Sequence, residues 1–263
     1  MENSRRSFLK IAGISAAGIG LKPVTDVLAA GGVQKKPSPI GDVAAGKSSL
    51  TAKRWAMVID VKKMAHNETV HKCIEACHHL HNVPKLKNKR HEIKWLWEEE
   101  FKHAFPGQHH EHLSEAIEHA PFLVLCNHCE NPPCVRACPT KATFQREDGI
   151  VLMDFHRCIG CRFCMAACPY GSRSFNFRDP RPFISETQEN FPTRMKGVVE
   201  KCNFCAERLA VGQQPACVEA SDGALLFGDL DDENSDVNKA LKSNYVIRRK
   251  PGLGTGPQVY YMV

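Results

Sequence analysis

Apolar residues along this chain gather in short runs, and each run stops at a polar loop that carries cysteine. Leu123 to Cys126, Ile150 to Met153 and Ala224 to Phe227 are too short for helices and predict strands. Val58-Ile59-Asp60 stands before Met64 as Leu152-Met153-Asp154 stands before Cys158, which predicts one more strand at the front. Each loop leads into a short helical segment and a further strand. Residues 78–119 break this rhythm: they are polar, carry His78, His79, His81, His109, His110 and His112, and read as a solvated insertion. Inside it, Trp95-Leu96-Trp97 and the patch from Phe101 to Phe105 are predicted to pack on the core. Lys85 to Arg90 and Asp229 to Asp236 read as a solvated loop and turn, and Gly252 to Gly256 as a glycine-rich loop.

The body is an internal repeat. Cys73-Ile-Glu-Ala-Cys77, Cys134-Val-Arg-Ala-Cys138, Cys164-Met-Ala-Ala-Cys168 and Cys217-Val-Glu-Ala-Ser221 share one shape. A C-x2-C pair precedes three of them: Cys126 and Cys129, Cys158 and Cys161, Cys202 and Cys205. The spacer to the third cysteine is four residues after Cys129, two after Cys161 and eleven after Cys205, so the longer ones are loop insertions. The first copy is damaged. Met64 occupies its first slot and no cysteine fills its second, while the fourth copy ends in Ser221.

Thirteen cysteines is a high and odd count for 263 residues, which argues against a pure disulfide framework. The third copy, completed by Pro169, reads C-x2-C-x2-C-x3-C-P. That run is the ligand pattern of a [4Fe–4S] cluster, and its fourth cysteine serves the other cluster of a two-cluster module. Pairing copies two and three, and copies one and four, gives three complete sets. Set A is Cys126, Cys129, Cys134 and Cys168; set B is Cys158, Cys161, Cys164 and Cys138; set C is Cys202, Cys205, Cys217 and Cys77. The fourth set would need Met64, an unfilled slot, Cys73 and Ser221, so Cys73 is left over and three clusters are expected. His66 or His71 completing that site is the alternative.

Zinc is the first rival, but zinc ribbons do not need a fourth cysteine followed by proline, as at Pro139 and Pro169. Cysteines two or three apart on a tight turn bridge poorly, and Cys73-x3-Cys77-His78 only resembles an expanded haem-attachment motif. No nucleophile elbow, P-loop or dinucleotide fingerprint occurs, so no catalytic residue is assigned. The formal charge of +6 ignores the negative charge of bound clusters and implies no nucleic-acid partner.

Arg5 and Arg6, followed by Phe8, Leu9 and Lys10, form a twin-arginine export pattern. The apolar run from Ile11 to Leu21 is shorter than the roughly 18 residues a spanning helix needs. Ala29 or Ala30 ends a candidate cleavage segment. Residues 1–30 are thus expected to be a signal peptide, 31–50 a flexible linker, and 51–263 a tandem 4Fe-4S domain of α+β class. That domain is expected to hold two ferredoxin-type modules related by pseudo-twofold symmetry, with inserted loops, one cluster site lost, and the clusters in a line.

The string from Cys126 to Tyr170, Lys201-Cys202-Asn203-Phe204-Cys205, and Pro215-Ala216-Cys217 with Gly223 to Asp229 resemble the four-cluster subunits of quinone-interacting and molybdopterin oxidoreductases. Trp95 to Pro106, Cys158 to Pro182 and the tail Ile247 to Val263 are more similar to the DsrO family. Members of that family are periplasmic iron–sulfur subunits of DsrMKJOP complexes of dissimilatory sulfur metabolism, and they too depart from the four-cluster pattern in their first copy. The resemblance implies an electron-transfer role in a hetero-oligomeric complex, attached to the membrane through a quinone-interacting integral subunit (DsrP-like) beside a multihaem cytochrome c (DsrJ-like). An electron-transfer subunit of a molybdopterin oxidoreductase and a non-redox metal-binding scaffold are the alternatives.

Overall fold

The protein is described by a computed structural model over residues 48–65 and 68–263. The twin-arginine segment, most of the expected linker and His66 lie outside the described residues. The central element is β1 (Trp55–Asp60), whose side chains obey a period of two. Trp55, Met57 and Ile59 enter the main core, while Ala56 and Val58 pack against a smaller cluster on the other face. Both faces are covered, so the strand is apolar almost throughout. It pairs antiparallel with β8 (Leu225–Asp229), matching Met57 with Phe227, and parallel with β10 (Val259–Met262), matching Met57 with Val259. β9 (Val246–Ile247) closes the sheet in the order β8-β1-β10-β9.

Three two-stranded ladders complete the sheet structure. β2 (Leu96–Glu99) pairs with β3 (Phe122–Leu125), β4 (Thr143–Gln145) with β5 (Val151–Met153), and β6 (Ser174–Phe175) with β7 (Val199–Glu200). The strand that precedes repeat one, β1, pairs with the strand that follows repeat four, β8. The strand that precedes repeat three, β5, pairs with the strand that follows repeat two, β4. Helices agree: α2 (Thr69–Leu80) packs on α8 (Ala216–Glu219), and α5 (Pro133–Arg136) on α6 (Phe163–Ala166). The α+β arrangement of two interlocked ferredoxin-type modules is therefore the observed one.

The remaining helices are α1 (Val61–Met64), α3 (Phe101–Ala104), α4 (Glu115–Glu118), α7 (Ala206–Leu209) and α9 (Asp236–Ser243). The α9 helix follows an acidic run that reads in sequence as a solvated turn. Ser235 caps it, its hydroxyl accepting from the Asn238 N–H at 3.1 Å, and Val237 and Ala240 cover the outer face of β1. The insertion also differs from expectation in part. Its aromatic patches are buried as predicted, but His81 is fully buried as well. Among the described residues no helix is long and apolar enough to cross a membrane.

Candidate metal centres

The three C-x2-C loops share a backbone device. The residue before the second cysteine has a left-handed φ in each: His128 at 40°, Gly160 at 71° and Phe204 at 55°. Two of the three are non-glycine residues, so the turn is held by its surroundings against a steric cost. At Gly160 only glycine fits, because a Cβ would collide with the Gly197 carbonyl. The third cysteine of each copy lies on a helix: Cys73 on α2, Cys134 on α5, Cys164 on α6, Cys217 on α8; Cys77, the fourth of the first copy, is also on α2. Cys138, Cys168 and Ser221 follow the ends of three of these helices.

Set A has its four thiols on one cavity, set C has Cys77 beside its other three, and in set B Cys164 stands beside Cys158 and Cys138. Cys126, Cys129, Cys134 and Cys168 line one small cavity, partly open to solvent, together with Tyr170 and Arg173. Burial pushes the Cys129 thiol up to about 12, assisted by Cys126, Cys134 and Cys168. Burial raises Cys77 well above its ordinary value, and Cys202, Cys205, Cys217 and Glu207 add to the rise. Burial likewise raises Cys164, beside Cys134, Cys158 and Cys138. Cys202 is held at about 12 by burial and then by Cys126 of the next group. Set A thus lies between C and B. A gradient of exposure runs along the row. All four thiols of set C are buried, whereas Cys161 of set B is exposed and Cys158 and Cys138 are half-buried.

Four thiols facing one cavity are a soft, sulfur-only donor set that fits an iron–sulfur cluster, and a coordinating thiol gives up its proton to the metal. At Cys77, Cys129, Cys164 and Cys202 burial sets the direction, because a thiolate is poorly solvated there. Cys138 behaves differently. Burial opposes its ionisation, but hydrogen bonds from the backbone of Thr143, Thr140 and Ala142 and from the Thr140 hydroxyl hold it below its ordinary value.

Two histidines to which the sequence assigns no role stand against these loops. His81 stacks on Trp95 at 4.4 Å between ring centres, and its Nε2 lies 2.7 Å from Glu207 Oε1. Its Nδ1 is 2.8 Å from the Cys77 carbonyl and 3.6 Å from Cys77 Sγ, which ties the insertion to set C. His128 stacks on Phe204 at 3.7 Å, so the loops of sets A and C touch through an aromatic pair. Its Nδ1 accepts the Val151 N–H at 3.0 Å, and burial, with Lys201 and Arg173 nearby, holds it neutral. Nothing in the sequence distinguishes His81 from its exposed neighbours except its place one turn after Cys77.

The slots of the fourth set are packed into the protein. Met64 and Cys73 are buried in the main core, and Cys73 Sγ lies 3.3 Å from the Cys217 carbonyl. The Ser221 hydroxyl donates to the Val218 carbonyl at 2.7 Å and accepts from the Leu225 N–H at 3.1 Å, closing the end of α8. His71 is exposed and its ring faces Glu98 at 3.8 Å.

Residues 118–180 match the model of the 4Fe-4S dicluster domain. The chain is 40% identical over 279 residues to Hdr-like menaquinol oxidoreductase iron-sulfur subunit 1 of Archaeoglobus fulgidus, covering 98% of this chain and 97% of that protein. It is 34% identical over 235 residues to the iron-sulfur cluster-binding subunit of menaquinone reductase of Nitratidesulfovibrio vulgaris, covering 80% and 88%. It is 33% identical over 266 residues to a subunit of the tetrathionate reductase of Salmonella typhimurium, covering 100% and 89%.

Proposed function

The chain belongs to the family of 4Fe-4S iron–sulfur subunits of oxidoreductase complexes, which transfer electrons and are not themselves catalytic, and from that premise we propose that it is a relay with three [4Fe–4S] clusters in sets C, A and B. The cavity lined by Cys126, Cys129, Cys134 and Cys168, with Cys77 standing among Cys202, Cys205 and Cys217 next to it, supports the reading. Bound clusters supply one-electron chemistry. The chain's own residues hold them, exclude water at set C, and stack His128 on Phe204 between the loops of C and A. Metal analysis of anaerobically purified protein tests the number: about twelve irons per chain supports it, and about sixteen overturns it.

Set B is the end of the row that meets solvent. Ile159 and Phe163, which flank Cys161, are 67% and 60% exposed, and the half-exposed Phe177 ring lies against Arg162 of the same loop. Arg162 lies over the Phe175 and Phe177 rings, and Arg157, one residue before Cys158, is exposed as well. An apolar centre with a basic rim suits a redox partner whose own centre is ringed by carboxylates. The complex we propose is a membrane-bound respiratory one of dissimilatory sulfur metabolism, with this chain in the DsrO position between a DsrP-like quinone-interacting subunit and a DsrJ-like multihaem cytochrome. We place it in the periplasm, exported by the twin-arginine route and attached to the membrane through its partners. The likeness to the tetrathionate reductase subunit favours a second reading, the electron-transfer subunit of a molybdopterin reductase. Purification of the intact complex separates the two, since a haem c protein co-purifies in the first and a pterin protein in the second.

A further inference from the structure

Three cations are buried with no carboxylate within 4.0 Å among the described residues: Arg173, Lys201 and Arg249. Arg249 donates to the Ala104 carbonyl and lies over the Tyr170 ring, whereas Arg173, 5% exposed, and Lys201, 2% exposed, stand against the cysteine loops. The contrast is Arg194, equally buried but paired with Glu200 at 2.7 Å. Removing a cation from water costs several kcal/mol unless an anion or aligned dipoles replace the water. Arg173 Nη2 donates to Cys134 Sγ at 3.0 Å and to Thr143 Oγ1 at 2.8 Å, while Nη1 reaches Met153 Sδ at 3.2 Å. Its charge is opposed by burial and upheld by Cys134, Cys164 and Cys126, which belong to sets A and B. Lys201 precedes Cys202 of set C. Its Nζ donates to the Cys202 carbonyl at 2.6 Å and to the Val151 carbonyl, and Val151 in turn bonds to His128 in the loop of set A. Arg173 and Lys201 therefore each stand at a junction, Arg173 between A and B, Lys201 between C and A.

We infer that Arg173 and Lys201 are positioning charges that tune the relay in pairs, each raising the reduction potentials of the two clusters it lies between and so keeping neighbours matched. The inference rests on the clusters proposed above. An added electron makes a cluster more negative, and a fixed cation in a low-dielectric interior stabilises that state. A charge shared by two sites shifts both and disturbs their difference little. Set A, flanked by both cations, is raised the most.

The test is redox titration, followed by electron paramagnetic resonance, of the intact complex carrying Arg173→Met, Arg173→Gln, Arg173→Lys, Lys201→Met or Lys201→Arg, with iron content measured on each. The neutral Arg173 variants are expected to lower the potentials of clusters A and B by at least a tenfold change in the reduction equilibrium, 59 mV for one electron, and leave C in place. Lys201→Met lowers C and A and leaves B. The charge-conserving variants stay near the parent. Neutral variants with full iron and unmoved potentials would overturn the proposal, as would conservative variants that shift as far as neutral ones. Loss of iron from both neutral Arg173 variants but not from Arg173→Lys would assign the charge to holding the cluster, which also overturns the tuning role. Absence of cluster signals from the parent protein would instead sink the relay reading itself.

Discussion

Replacing Arg194 by methionine removes the centre of the buried polar network that locks the insertion to the cluster-bearing body. Its Nε donates to Glu200 Oε2 at 2.7 Å, Nη2 to the Asn82 carbonyl at 2.8 Å, and Nη1 to the carbonyls of Pro192, at 3.0 Å, and His81. Trp95 Nε1 and Asn176 Nδ2 supply the remaining hydrogen bonds to Glu200. Both side chains of the ion pair have zero exposure, so no water replaces the guanidinium. Breaking a buried pair costs about 3–5 kcal/mol, and stranding the His81 and Asn82 carbonyls adds about 1 kcal/mol or more. A total near 4–6 kcal/mol corresponds to a fall in Tm of roughly 8–24 °C for a chain of this size. The assay is anaerobic thermal unfolding at one fixed scan rate, since loss of metal makes unfolding irreversible. Because the His81 carbonyl is one partner, cluster C is expected to bleach before A and B. Arg194→Met combined with Glu200→Gln recovers part of the loss by removing the orphaned charge. A fall under 2 °C for the single variant, or a double variant no better than the single, would refute the account.

Cys73→Ala is expected to retain about twelve irons per chain, whereas Cys217→Ala retains about eight; equal losses in iron analysis would return Cys73 to the ligand list. Gly160→Ala drives a Cβ into the Gly197 carbonyl and strains a left-handed position, so it should cost about 1–3 kcal/mol and destabilise the set B loop, read as faster loss of that cluster's signal. Ile159→Asp with Phe163→Ser should leave fold and iron content unchanged but slow electron exchange with the complex about tenfold or more in stopped-flow; unchanged rates would remove the docking face from the relay. Burial holds the Tyr261 hydroxyl at about 12, so stability is full below pH 10, where the unfolded tyrosine begins to ionise, and falls by about 3 kcal/mol as pH rises to 12. Denaturation across that range should show the slope in the parent and its loss in Tyr261→Phe.

The spacing of the cysteines alone determined the repeat, its damaged first copy and the pairing of copies one with four and two with three. That is because C-x2-C turns and a third cysteine on a short helix are local geometry, written within a dozen residues of each other. The strands at Leu123, Ile150 and Ala224 were legible for the same reason, being short apolar runs that end at those turns. Tertiary structure decided what depends on distant neighbours. Asp236–Ser243 is a helix because Val237 and Ala240 find Ala56 and Val58 on the back of β1, a partner far away in sequence. His81 is buried while His79 and His71 are not, because only His81 meets Trp95, Phe191 and Glu207. The exposure of set B against the burial of set C, and the two unpaired cations between the sets, arise from packing across the modules. Sequence places the cysteine turns and the short helices, which are local geometry; the long-range packing, through burial and charge, decides how the surroundings of those cysteines differ.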